Sequence, residues 1–132
     1  MRLTVTDVAR SREFYTSLLS FAIAVEAPAS EDPKSDPSYP VLWGGCVMVR
    51  GNLLLGLRPV APAEDSFDPN RVGLDHLSFS VGTRAELDEA VVLFDARGVT
   101  HGEIADLAGF GISVLPFRDP DGVQLELTSP IA

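Results

Sequence analysis

The sequence predicts an α+β fold made of two βαβββ modules. Three observations carry that prediction. Hydrophobic periodicity gives the order strand, helix, three strands, and then the same order again. A shift of 76 residues lays Met1 on Leu77, Leu3 on Phe79, Thr4 on Ser80, Val5 on Val81 and Leu18 on Phe94. At the module ends a shift of 71 lays Gly51 on Gly122, Leu54 on Leu125, Leu55 on Glu126 and Pro59 on Pro130. The shift changes because the connecting loops differ in length. One domain, 1–132, is expected, with modules at 1–58 and 73–129.

Each element has its own reason. Residues 1–6 alternate, with Leu3 and Val5 on one face and Arg2, Thr4 and Thr6 on the other. Asp7 is a helix N-cap, and the helix at 8–19 carries Val8, Phe14, Tyr15, Leu18 and Leu19 at helical spacing. A strand at 21–25 leads into a Pro- and charge-rich loop at 27–38. The next strand, 41–49, is interrupted by Gly44 and Gly45, which signal a bulge or a close backbone approach. Gly51-Asn52 turns the chain into a strand at 53–57, and a second Pro-rich loop spans 59–71.

The second module opens on 73–81, where Leu77, Phe79 and Val81 alternate with His76, Ser78 and Ser80. Polar side chains at every second position suggest a wet cavity rather than a core. Thr83-Arg84-Ala85-Glu86 is a capping box. The helix behind it places Leu87, Ala90, Val91 and Phe94 on one face and stops at Gly98. Strands follow at 102–107, 111–117 and 123–128, and Asp119-Pro120-Asp121-Gly122 forms a type I turn.

Composition excludes several classes. Hydrophobic residues at 45% and charged residues at 22% fit a globular domain. No apolar run spans a bilayer and no basic-then-apolar leader is seen, so no membrane partner is expected. The net charge of −9 argues against nucleic acid. The single Cys46 forms no internal disulfide, which makes a reducing cytoplasm the expected location.

Several motifs together resemble the vicinal-oxygen-chelate superfamily of glyoxalases, bleomycin-resistance proteins and extradiol dioxygenases. Val5-Thr6-Asp7, Arg10-Ser11, Phe14-Tyr15 and Leu18-Leu19-Ser20-Phe21 look like its opening, where Gly usually stands at Ser20. Asp75-His76-Leu77-Ser78-Phe79, then Phe117-Arg118-Asp119-Pro120-Asp121-Gly122 with Leu125-Glu126-Leu127, look like its second module. The resemblance implies a cup-shaped, partly closed mixed sheet with helices outside, a cavity lined by both modules, and a homodimer. It also implies a divalent ion such as Ni, Zn, Fe or Mn, with His76 and Glu126 as ligands from the second module.

The first module departs from that pattern. The repeat places the counterpart of His76 one position ahead of Met1, and the counterpart of Glu126 at Leu55, which binds no metal. No tightly held cofactor is therefore expected. Two readings of His76 stand side by side: metal ligation, or a hydrogen bond to Glu126 that orients both. Glu126 is a candidate general base or a solvated rim charge. His101 reads as a surface residue at a strand start, Cys46 as packing, and Trp43 as core or a stacking platform.

The cavity lining expected on the resemblance sets Leu53, Leu55 and Leu57 opposite Ser78, Ser80, Gln124, Glu126 and Thr128, with Arg2 and Thr4 on the first strand. An apolar wall facing a few polar groups suits a partly hydrophobic or aromatic small molecule. Two functions follow. The first is metal-free binding of such a molecule, of the drug-sequestering or resistance type. The alternative is an enzyme, a glyoxalase-like lyase or isomerase or an extradiol-type dioxygenase, using His76 and Glu126.

Overall fold

The computed structural model describes residues 1–131, so Ala132 at the end of the expected domain lies outside the described residues. The fold is α+β. It contains two four-stranded mixed sheets, one in each of two compact units, Met1–Asp65 and Ser66–Ala132.

In the first unit the strands are β1 (Arg2–Thr4), β2 (Ala22–Glu26), β3 (Cys46–Arg50) and β4 (Leu53–Arg58), ordered β1-β4-β3-β2. β1 runs parallel to β4, and the other pairs are antiparallel. Helix α1 (Val8–Leu18) starts where Asp7 accepts a hydrogen bond from the Arg10 amide at 3.0 Å. It packs on β4 and buries Phe14 and Tyr15. Tyr15 meets Phe21 edge-on, with ring centroids 6.1 Å apart. Behind the helix Ser20 takes φ 60°, the left-handed conformation that favours glycine. Sterics thus account for the glycine that the resemblance leads one to expect there.

The strand expected at 41–49 is not continuous. Tyr39–Leu42 forms a short helix, α2, with Pro40 in its first turn. Trp43 and Gly44 then take left-handed conformations, and β3 begins only at Cys46. Gly45 is a place of close approach: a Cβ there would lie 1.8 Å from the Leu57 carbonyl oxygen. Cys46 is buried, and burial pushes its thiol pKa up.

The second unit repeats the plan. Strands β5 (Leu77–Ser80), β6 (Ala105–Leu107), β7 (Ile112–Arg118) and β8 (Gln124–Pro130) are ordered β5-β8-β7-β6, with β5 parallel to β8. Helix α3 (Arg84–Arg97) has the full capping box at Thr83 and Glu86, and it ends on Gly98 at φ 68°. It packs on β7 and β8, burying Leu87 and Phe94 against a core that includes Leu115, Phe117, Leu125 and Leu127. Phe94 and Phe117 lie 4.7 Å apart. The strand expected at 102–107 is shorter than read. Only 105–107 pair with β7, and His101 makes an isolated bridge to Phe117. In the turn, the Asp119 carboxylate accepts from the amides of Asp121 and Val123 at 2.9 Å each, so the Asp119 side chain holds the turn.

Pairing also fixes the repeat. Arg2 stands opposite Gly56 as Ser78 stands opposite Glu126. The counterpart of Glu126 is therefore Gly56, not Leu55. The run Leu53-Leu54-Leu55 has no polar alternation to reveal which face each residue takes, and only the partner strand decides. Leu55 and Leu57 are 0% exposed, on the α1 side with Leu3 and Met48. They are core residues and do not line a cavity. Leu53 is half-buried, and the exposed face of β4 carries Leu54 and Arg58.

Candidate functional site

The second unit builds its site on the sheet face away from α3. Strand alternation sends Leu125, Leu127 and Phe79 into the core and leaves Ser78, Ser80, Gln124, Glu126 and Thr128 on the other side. The parallel register sets Ser78 beside Glu126, and the Ser78 hydroxyl donates to Glu126 Oε2 at 2.8 Å. His76 stands just ahead of β5. Its Nδ1 lies 2.7 Å from Asp75 Oδ1, and its Nε2 lies 3.3 Å from Glu126 Oε2.

Gln124 ties the segment before β5 to β8. Its amide nitrogen donates to the Asp75 carbonyl at 3.0 Å, and its oxygen accepts from Arg118 Nη2 at 3.3 Å. Arg118 Nη1 donates to the Gly122 carbonyl, so the turn at 119–122 holds the arginine in place. The chain of contacts Arg118, Gln124, Asp75, His76, Glu126, Ser78 is continuous. The structure thus brings His76, Ser78, Gln124 and Glu126 together, as the sequence suggests, and adds Asp75 and Arg118.

All of these but Ser78 border a hollow of about 460 Å³, which His101, Pro116 and Phe117 also line. His101 is not merely a surface residue. Its side chain is 17% exposed, its Nδ1 donates to the Gly102 carbonyl at 2.7 Å, and its Nε2 lies 2.6 Å from Asp95 Oδ1. With both ring nitrogens facing oxygen acceptors, the imidazolium is favoured, and the Asp95 bond raises its pKa. The same holds for His76. The bond to Asp75 raises its pKa first, burial opposes, and the charges of Glu126 and Asp75 raise it further. A protonated His76 forms an ion pair with Glu126 across 3.3 Å, and a neutral one does not.

The donors can be weighed against the divalent metal that the resemblance implies. His76 Nε2 and Glu126 Oε2 are of the right type, and the Asp75 contact at Nδ1 is the kind that orients a ligating imidazole. The donor set stops there. Gly56 offers nothing at the position that repeats Glu126. Among the described residues no group of three or more His, Cys, Asp or Glu is placed to hold an ion. A catalytic centre takes three protein ligands and an open position, so the residues present do not fit one.

The candidates of the first unit lie on its own sheet. Arg2 and Thr4 are exposed on β1. Arg2 lies across Gly56, where a Cβ would come 3.0 Å from its Nε. Trp43 is neither a strand residue nor fully buried. It caps α2, faces Tyr39 at 5.3 Å, and carries the Arg58 guanidinium 3.8 Å above its ring. It is thus a stacking platform. Arg58 escaped the sequence reading because nothing in 41–58 shows that residue 43 leaves the sheet.

Comparison with known proteins agrees with this architecture. The family model of the Glyoxalase/Bleomycin resistance protein/Dioxygenase superfamily matches residues 1–127. A glyoxylase/bleomycin resistance protein/dioxygenase domain from Frankia sp. EAN1pec is 28% identical, with TM-score 0.76 over 98% of this chain and 87% of that one. The genomically encoded fosfomycin resistance protein FosX from Listeria monocytogenes is 14% identical, with TM-score 0.69 over 98% and 88%. A lactoylglutathione lyase from Agrobacterium tumefaciens is 18% identical, with TM-score 0.64 over 98% and 90%. The latter two likenesses are of fold alone. None of the curated proteins compared with the chain matches it. With a family model matched over 127 residues and the strand order repeated in both units, the chain belongs to the Glyoxalase/Bleomycin resistance protein/Dioxygenase superfamily.

Proposed function

We propose that the chain binds a small, partly hydrophobic or aromatic molecule on the open sheet face of its second unit, without a resident metal, as a sequestering or resistance-type member of its family. The observation that carries the reading is the polar line from Arg118 to Glu126 along a 460 Å³ hollow that the exposed ring of Pro116 also borders. Preformed hydrogen-bonding groups beside apolar surface are what an organic ligand needs. Glu126 accepts from a ligand donor, and His76 and Gln124 fix its orientation. Ser80 extends the polar face, and Arg2, Thr4 and Trp43 are ligand-binding candidates on the first unit's own sheet. We place the protein in the cytoplasm as a homodimer.

A second reading is favoured by the alignment Asp75, His76, Glu126. With Nδ1 held by Asp75, Nε2 lies 3.3 Å from the Glu126 carboxylate. That geometry suits an enzyme, a lyase, isomerase or dioxygenase, with Glu126 as the base. A thermal-shift screen over antibiotics and aromatic metabolites separates the two. A ligand at 100 times its Kd stabilises the folded state by about 2.7 kcal/mol. The binding reading expects such a ligand for the wild type without added metal, and a smaller shift for Glu126→Gln and His76→Ala. A blank screen overturns it. Turnover that is lost in Glu126→Gln favours the enzyme.

A further inference from the structure

The chain carries ten basic residues against nineteen acidic ones, and several of its arginines are satisfied by carboxylates. Arg12 pairs with Glu26 and Arg84 with Asp88. Arg2 and Arg58 are not among those pairs. Among the described residues neither has a carboxylate within ion-pair distance, and Arg58 Nε is buried with no hydrogen-bond partner. Both stand on the exposed face of the first unit's sheet. Arg2 is opposite Gly56, and Arg58 is opposite Thr4, two positions along the same strand pair.

Each guanidinium is also held in place. Gly56 has no side chain, so the stem of Arg2 lies flat over β4, with Cγ 3.2 Å and Nε 3.0 Å from where a Cβ would be. The Arg58 head lies over the Trp43 ring at 3.8 Å. Two cations on neighbouring strands repel each other, and an anion between them removes that repulsion. The planar fork of each arginine matches an oxyanion bidentately, and little rotamer freedom is left to lose.

We propose that Arg2 and Arg58, with Arg58 seated on Trp43, form an oxyanion-binding subsite that takes the carboxylate or phosphate group of a small molecule. Thr4, opposite Arg58 and two residues along β1 from Arg2, supplies a hydroxyl donor on the same face. The subsite belongs to the first unit alone and does not rest on the ligand reading given to the second.

Trp43 is the only tryptophan, so its emission reports directly on the guanidinium above it. The full-length protein is titrated with inorganic phosphate and, separately, with benzoate, each at ionic strength matched with sodium chloride. A saturable change in Trp43 emission with at least one of the two anions is expected, and the arm that responds identifies the oxyanion. The midpoint is expected to rise by about fivefold or more in both Arg2→Gln and Arg58→Gln, since each removes a charge-assisted bond. Arg58→Lys keeps the charge and is expected to fall between Arg58→Gln and wild type. Arg84→Gln, which removes an arginine paired with Asp88 on α3, is expected to leave the midpoint unchanged. No saturable change with either anion overturns the proposal. So does a change that chloride reproduces, or a smaller rise in either glutamine variant.

Discussion

Replacing Phe94 by alanine tests how the second unit holds its site. Phe94 is 0% exposed on α3 and lies 4.7 Å from the Phe117 ring. Its ring is also 6.2 Å from that of His101, and both neighbours line the hollow. Truncating a buried Phe costs about 3–5 kcal/mol, transfer and cavity together. A chain of this length has an unfolding entropy near 0.28 kcal/mol/K, from roughly 2.1 cal/mol/K per residue. The melting temperature should therefore fall by about 10–20 °C. Circular dichroism melts and urea titration give the number directly, and an unchanged urea m-value shows that the denatured state has not altered. A fall below about 4 °C would refute the packing argument, because it corresponds to only about 1.1 kcal/mol, well short of the cost of truncating a packed core ring.

Two further outcomes follow from single residues. Asp95 raises the folded pKa of His101 above the unfolded value near 6.5, so the stabilisation is complete below about pH 6.5 and is lost as pH rises through the raised folded value. Melting temperature should fall across that window in wild type and fall less in Asp95→Asn; equal slopes would contradict the assignment. At Gly45 any Cβ meets the Leu57 carbonyl, so Gly45→Ala should separate β3 from β4 and sharply reduce soluble protein. Gly98→Ala meets open space and has only its φ of 68° to strain, at a cost of about 1–2 kcal/mol, and comparable yields for the two variants would contradict the close approach.

Much of the fold was legible because local chemistry and tertiary structure agree. Asp7 and Thr83-Arg84-Ala85-Glu86 announce their helices, and both cap as expected. Leu77, Phe79, Leu125 and Leu127 alternate with polar residues, so their strands and faces follow from parity. Where parity is silent, the reading slips. Three consecutive leucines at 53–55 hide the face of β4, and pairing with β1 places Gly56, not Leu55, opposite Arg2. Val41 and Leu42 are apolar enough to pass for the start of the strand read at 41–49, while Pro40 just ahead of them is the stronger local signal, for a short helix. In the site, His76 and Glu126 are readable because a polar row interrupts an apolar sheet. Arg118 and Asp95 are not, since their roles depend on a turn and a helix end that bring them beside Gln124 and His101.

We propose that the second unit's polar face serves an organic ligand rather than a resident metal, because among the described residues no third donor stands with His76 and Glu126. Metal analysis of protein purified without chelator tests this most directly. The account predicts well under one divalent ion per chain, and the same content in His76→Ala and Glu126→Ala. About one ion per chain in wild type, lost in both variants, would contradict it.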